Sequence, residues 1–134
     1  AFELELRKRA SSDPRVLFTG FVTGELLAEL YSNAFVYVLP SDVEGMPLSL
    51  MEAMSYGTCC VTSDVPECAD VLGCAGVTFA KGDVFELARV LGSLLDNPER
   101  ANKLGESARE RVRNNYDWDS VVKRTLELYQ GEAR

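Results

Sequence analysis

The stretch that decides the fold is PSDVEGMPLSLMEAMSYG, residues 40–57. It contains two carboxylates, Glu44 and Glu52, with seven residues between them. Glu44 is predicted to lie in a loop, because Gly45 and Pro47 follow it and both residue types interrupt regular structure. The carboxylates therefore belong to different local structures, one to a loop and one to whatever follows the proline.

The residues after the loop predict a short helix. Proline is tolerated in the first turn of a helix, so we expect the helix to begin near Pro47 or Leu48 and to run to Tyr56. Gly57 is then well suited to the left-handed conformation that often ends a helix.

The start of this helix is predicted to bind an anion. The N–H groups of Leu48, Ser49 and Leu50 are expected to lack partners, and the helix dipole is positive at this end. Phosphate commonly occupies such a position. Ionised carboxylates only accept hydrogen bonds, so Glu44 and Glu52 are expected to bind hydroxyl groups on either side of the phosphate. A nucleotide-diphosphate sugar has this order of groups: ribose, diphosphate, hexose.

The run EGMPLSLME resembles the E-x7-E element of the retaining glycosyltransferases called glycosyl transferases group 1, or family four. Three further segments resemble the same family, and together they cover nearly the whole chain. They are the run VLFTGFV at residues 16–22, the pair Gly82-Asp83, and the triplet Tyr116-Asp117-Trp118.

The resemblance implies a role for each carboxylate. Glu52 is expected to accept hydrogen bonds from the ribose hydroxyls. Glu44 is expected to be the catalytic residue, which orients the donor sugar and stabilises charge while the anomeric configuration is retained. The alternatives are a solvated glutamate that stabilises a helix start for Glu52, and a carboxylate that caps the following helix for Glu44.

Other donor-binding residues are expected in the same stretch and in the glycine turn before it. They are Gly45, Met46, Pro47, Leu48, Ser49, Gly20, Phe21, Val22 and Ser41. Leu48 and Ser49 are expected to present N–H groups to the diphosphate, whereas Phe21 and Val22 are expected to pack against the nucleobase. The alternatives are a simple capping serine at Ser49 and core packing beneath the turn for Phe21 and Val22.

The charge of this region limits the chemistry. No Lys or Arg occurs between Arg15 and Lys81, and the same segment contains eight acidic residues. A helix end offers only about half a charge to a departing diphosphate. The resemblance implies that an Arg and a Lys are supplied by the part of the domain that precedes this chain. The segment contains no D-x-D motif, so we expect no metal and no cofactor.

Composition excludes several classes of function. The 134 residues suit one domain, and 46% of them are hydrophobic. The net charge of −7 argues against nucleic-acid binding. No apolar run approaches the roughly 20 residues of a membrane span, so we expect a cytoplasmic protein, either free or peripheral at a membrane.

The four cysteines form no C-x-x-C pair and the chain has no histidine. Buried free thiols are therefore favoured over a zinc site.

Strand and helix patterns alternate along the chain. Apolar runs predict strands at residues 16–20, 34–39, 58–62 and 76–80, with a short helix at residues 66–72 and amphipathic helices after Gly82. The pattern predicts an α/β fold with a Rossmann-like parallel sheet, helices on both faces and a helical C-terminal tail. The resemblance makes this part of the C-terminal domain of a GT-B fold. In such sheets ligands bind at the carboxyl ends of the strands.

The resemblance also predicts the domain organisation. Residues 1–134 are expected to form a single nucleotide-sugar-binding C-terminal domain, truncated at its N-terminal side and without the acceptor-binding N-terminal domain. We expect these residues alone to bind nucleotide weakly. One alternative is a non-catalytic nucleotide-sugar-binding or regulatory module. Another is a doubly wound signalling domain, which needs an aspartate cluster that Asp64 alone does not provide.

Overall fold

The computed structural model describes residues 2–131. Within them helices surround a small sheet. In chain order the elements are α1 (Phe2–Ala10), α2 (Gly24–Asn33), β1 (Val36–Leu39), α3 (Leu48–Ser55), β2 (Cys59–Ser63), α4 (Pro66–Leu72), β3 (Val77–Phe79), α5 (Val84–Leu95), α6 (Pro98–Asn115) and α7 (Trp118–Gln130).

The sheet is parallel and has the order β1-β2-β3. Every residue of β2 is buried, because its alternating side chains enter two different cores. Cys60 packs in a core with residues of α3 and α4, whereas Cys59 and Val61 pack in a second core with residues of α5. The predicted parallel sheet with helices on both faces is therefore confirmed.

Helix α6 contributes to both cores. Its Ala101 packs in the second core and its Ala108 packs in the first. Between them Gly105 lies so close to the chain before β2 that an added Cβ would be 2.1 Å from the carbonyl oxygen of Gly57. Small residues at these positions let the helix lie directly against the backbone.

The predicted strand at residues 16–20 is wrong. These residues form no strand, and Val16 and Leu17 are 47% and 80% exposed. A strand exists only through hydrogen bonds to a neighbour, and within the described residues the paired strands are β1, β2 and β3. Apolar content alone could not show that this run lacks a partner. The glycine turn that follows is present, since Gly20 has φ +68°.

The remaining boundaries agree closely with the prediction. The helix at Pro66–Leu72 has the predicted bounds, and the other three strands are shortened or shifted by one or two residues. Asp83 and Asp117 cap α5 and α7 through their carboxylates. Thr23 occupies the N-cap position of α2, but its side chain makes no capping hydrogen bond.

A membrane-spanning segment is absent from residues 2–131: none of their helices combines the required length with sufficient apolar character.

Candidate functional site

The loop and helix that carry the two carboxylates have the predicted form. Helix α3 begins at Leu48, and Pro47 is the buried N-cap residue, without a side-chain capping bond. Gly45 and Met46 are exposed in the preceding loop. The helix is closed by Gly57, whose φ of +77° is the left-handed conformation that was expected.

The amide groups at the start of α3 differ from the prediction. Leu48 N–H donates to the Met46 carbonyl at 2.8 Å, and Leu50 N–H donates to the Pro47 carbonyl at 3.0 Å. The chain turns tightly at Pro47, so these two amides are satisfied by carbonyls of the turn itself. Among residues 2–131 the Ser49 N–H has no acceptor. The expectation of three unpaired amides is therefore wrong for Leu48 and Leu50.

Ser49 is held in place by two tyrosines. The Tyr37 hydroxyl donates to Ser49 Oγ at 2.8 Å, and the Tyr31 hydroxyl approaches the Ser49 carbonyl at 3.5 Å. Burial raises the pKa of Tyr37, so its phenol is protonated and donates at neutral pH. Ser49 therefore retains its own hydroxyl proton for a ligand. It is not a capping serine, because Pro47 occupies the cap position.

Glu44 is half-buried in the loop and is bonded within it. The Ser41 hydroxyl donates to Glu44 Oε1. Within the described residues the hydrogen bond to the Glu44 carboxylate comes from Ser41 and none comes from an N–H of α3, so the alternative that Glu44 caps α3 receives no support. The second oxygen of Glu44 is left to accept a hydrogen bond from a ligand.

Glu52 lines an apolar cleft of about 470 Å³ together with Met46 and Leu48. Three of the predicted donor-binding residues thus share one concave surface. The remaining lining residues come from α3, from the end of α6 and from the start of α7: Met51, Ser55, Val112, Tyr116, Trp118 and Val121.

The glycine turn before α2 is exposed. Phe21 is 97% exposed, so the alternative that it packs in the core is wrong. Val22 is partly buried and Gly20 is exposed. An apolar ring in this position has its full face free for a ligand or for another part of the protein.

Sequence reasoning missed three side chains that contact the site. The Tyr37 hydroxyl binds Ser49, the Ser63 hydroxyl donates to the Ser41 carbonyl, and Lys81 Nζ donates to the Asp42 carbonyl at 2.9 Å. Ser63 ends β2 and Lys81 follows β3, so their position at the carboxyl edge of a parallel sheet was the available signal.

No three His, Cys, Asp or Glu residues within the described part of the chain lie close enough together to share a metal ion. Metal independence itself stays a prediction. All four cysteines are free, and three of them, Cys59, Cys60 and Cys68, are buried as expected.

The family model of the glycosyl transferases group 1 matches residues 3–111 of this chain. The chain belongs to that family. Among curated relatives, the MMP alpha-(1->4)-mannosyltransferase of Mycolicibacterium hassiacum is 37% identical over 113 residues, covering 81% of this chain and 27% of the relative. The glycogen synthase of Mycobacterium tuberculosis is 34% identical over 119 residues, covering 87% and 29%.

A solved structure shows the same fold. The sucrose-phosphate synthase of Thermosynechococcus elongatus superimposes with a TM-score of 0.87 and 30% identity, covering 96% of this chain and 33% of that one. This match confirms the GT-B type of α/β fold that the sequence predicted. The chain spans between about a quarter and a third of the length of these three similar proteins.

Proposed function

We propose that this group 1 glycosyltransferase transfers a hexosyl group from a nucleotide-diphosphate sugar to an acceptor, with retention of anomeric configuration. The described residues would supply the donor-binding part. The observation that carries the proposal is the arrangement at the start of α3. The Ser49 N–H has no backbone acceptor among residues 2–131, and Ser49 follows a loop carboxylate, Glu44, and precedes a helix carboxylate, Glu52, in the sequence.

In this proposal the diphosphate binds at the start of α3. Ser49 donates its N–H and its hydroxyl proton to a phosphate oxygen, and the positive end of the helix dipole adds to the attraction. Gly45 lets the loop backbone approach the ligand, since glycine has no side chain to obstruct it. Met46 contributes the next backbone group of the same loop. Leu48, which lines the cleft with Glu52, and Pro47 before it lie against the bound donor.

The two sugars bind on either side of that anion. Glu44 accepts from hydroxyls of the donor hexose through the oxygen that Ser41 leaves free, and so holds the anomeric carbon for reaction. Glu52 accepts from the ribose hydroxyls. Gly20, Phe21 and Val22 lie against the nucleobase, with the exposed ring of Phe21 supplying apolar surface.

The charge of the leaving diphosphate needs further cations in this proposal. A helix end supplies only about half a charge, and residues 16–80 contain none of the protein's basic residues. The proposal places those cations, and the acceptor site, in another part of the protein. It needs neither a metal ion nor a cofactor. The nucleotide sugar and the acceptor are then its partners.

The test uses the protein expressed from its complete reading frame, titrated calorimetrically with a panel of nucleotide sugars. We expect one of them to bind, and Glu52→Gln to weaken that binding roughly ten- to hundred-fold, because a hydrogen bond to a charged group is lost. Glu67→Gln is the matched control, since Glu67 is an exposed glutamate in the first turn of another helix, α4.

Equal affinities for the wild type and Glu52→Gln would overturn the assignment of Glu52. Transfer is followed in the same panel by the release of nucleoside diphosphate, and the configuration of the product is read by NMR. Donor binding without transfer to any acceptor would favour a non-catalytic nucleotide-sugar-binding module.

A further inference from the structure

The loop that carries Glu44 is held by side chains from two neighbouring strand ends. We define the motif loop as residues 41–46. The loop has no regular secondary structure of its own, so the position of Glu44 depends on what fixes the backbone before it. Two bonds reach that backbone from elsewhere in the fold, one to the carbonyl of Ser41 and one to the carbonyl of Asp42.

The first bond comes from the end of β2. Ser63 is only 1% exposed, and its hydroxyl donates to the Ser41 carbonyl. A half-buried carbonyl without a donor is costly, so this hydroxyl satisfies the Ser41 carbonyl and ties the start of the loop to the end of β2. The same Ser41 then donates its own hydroxyl to Glu44 Oε1. A chain of two hydrogen bonds thus connects the end of β2 to the carboxylate.

The second bond comes from the turn after β3. Lys81 Nζ donates to the Asp42 carbonyl at 2.9 Å. The ammonium also lies 3.9 Å from an oxygen of the Asp42 carboxylate. Both side chains of that ion pair are well exposed, so the pair itself contributes little. The bond to the carbonyl is the contact that restrains the loop.

The turn that carries Lys81 is itself well fixed. Lys81 N–H donates to Asp64 Oδ1 at 2.8 Å, and Asp64 N–H donates to the Phe79 carbonyl at 2.9 Å. Ala80 N–H donates to Glu86 Oε2 at 2.7 Å. Because its backbone is anchored on both sides, the lysine can hold the motif loop rather than move with it.

We propose that Ser63 and Lys81 are positioning residues that hold the motif loop and thereby set the place of the Glu44 carboxylate. The link to catalysis rests on the function proposed above, whereas the restraint of the loop does not. Lys81 is the first basic residue after the long segment without cations. Its ammonium group donates to the Asp42 carbonyl of the motif loop.

The restraint is tested without any ligand, by the exchange rate of the Leu48 amide hydrogen in the whole protein, since this N–H donates to the carbonyl of Met46 at the end of the motif loop. We expect Ser63→Ala and Lys81→Met each to speed exchange there about five-fold, since each removes one hydrogen bond of ordinary strength. Lys81→Arg is expected to keep the protection. Lys103→Met, at an exposed position of α6, is the matched control and is expected to change nothing.

The link to Glu44 is tested by transfer kinetics of the same variants. We expect Ser63→Ala and Lys81→Met to lower kcat roughly ten-fold or more, with unchanged affinity for the nucleoside diphosphate, because a displaced group misplaces the hexose. In a Glu44→Gln background the same substitutions are expected to have no further effect. Additive losses would overturn the link.

Together, the exchange measurement and the transfer kinetics distinguish failure of the loop restraint from failure of the proposed function. Unchanged exchange in both variants overturns the proposal whatever the protein catalyses. Faster exchange in a protein that neither binds nor transfers any nucleotide sugar overturns the proposed function and, with it, the link to Glu44, while the restraint itself is supported.

Discussion

Gly105 and Gly92 both lie within helices, yet their surroundings differ completely. A Cβ added to Gly105 would be 2.1 Å from the carbonyl oxygen of Gly57, a backbone atom that cannot turn aside. A Cβ added to Gly92 would meet no atom within 4 Å. One glycine is therefore required by packing, and the other only weakens its helix.

This contrast gives a matched pair of substitutions. We expect Gly105→Ala to lower the free energy of unfolding by roughly 1–3 kcal/mol, because α6 must move away from β2. We expect Gly92→Ala to raise it by about 0.5–1 kcal/mol, since alanine loses less backbone entropy in a helix. Urea denaturation of both variants measures the two changes. A stable Gly105→Ala protein would show that α6 lies farther from Gly57.

At the level of single residues, the local structure around much of the candidate site could be predicted from the sequence. The loop position of Glu44 and the helical position of Glu52 follow from Gly45 and Pro47, which lie between the two glutamates in the sequence. The contacts of Ser63 and Lys81 could not be predicted, because they join residues 22 and 39 positions apart. Residue type does not say which carbonyl a distant donor will reach.

Among the elements, α6 supports the ends of two shorter helices through its arginines. Arg109 Nη2 donates to the Tyr56 carbonyl at the end of α3. Arg111 donates to the carbonyls of Val71 and Asp70 at the end of α4, both at 2.7 Å. Cations at helix C-termini satisfy unpaired carbonyls and oppose the negative end of the dipole.

We expect Arg111→Met to lower the free energy of unfolding by about 1–2 kcal/mol, since two charge-assisted bonds are lost while the aliphatic stem is kept. Arg113→Met on the same helix is the control, because Arg113 is exposed and makes no side-chain bond to the described residues. Thermal denaturation compares the two. Equal melting temperatures would mean that water replaces the guanidinium at the end of α4.

A comparison of helices with strands also explains why one predicted strand was wrong. Helices can be read from the sequence because their hydrogen bonds and their apolar stripes are local. A strand depends on a neighbour that the sequence pattern does not identify. The run at residues 16–20 has the apolar content of a buried strand and still pairs with none of β1, β2 and β3.

For the whole molecule the decisive feature is that two cores share the strand β2. Cys60 belongs to one core and its neighbour Cys59 to the other. Burial raises the pKa of both thiols, that of Cys60 to about 12. Neither is therefore a reactive thiolate in the folded protein near pH 8, whereas Cys74 is exposed.

We expect thiol labelling at pH 8 to modify Cys74 readily in the folded protein, and Cys59 and Cys60 only on unfolding. Because β2 is common to both cores, Cys59 and Cys60 are expected to become labelled at the same denaturant concentration. Mass spectrometry of labelled peptides along a urea series measures the two midpoints. Separate midpoints would show that the cores unfold independently.

The crossing of α6 from one core to the other fixes a length. Ala101, Gly105 and Ala108 follow at steps of four and three residues, so they share one side of the helix over two turns. A single residue inserted between them would rotate everything beyond it by about 100°. Ala108 would then leave its core, and both Arg109 and Arg111 would turn away from the helix ends they support. Insertions in surface loops generally cost little, but the length of this two-turn interval sets the spacing between the two cores.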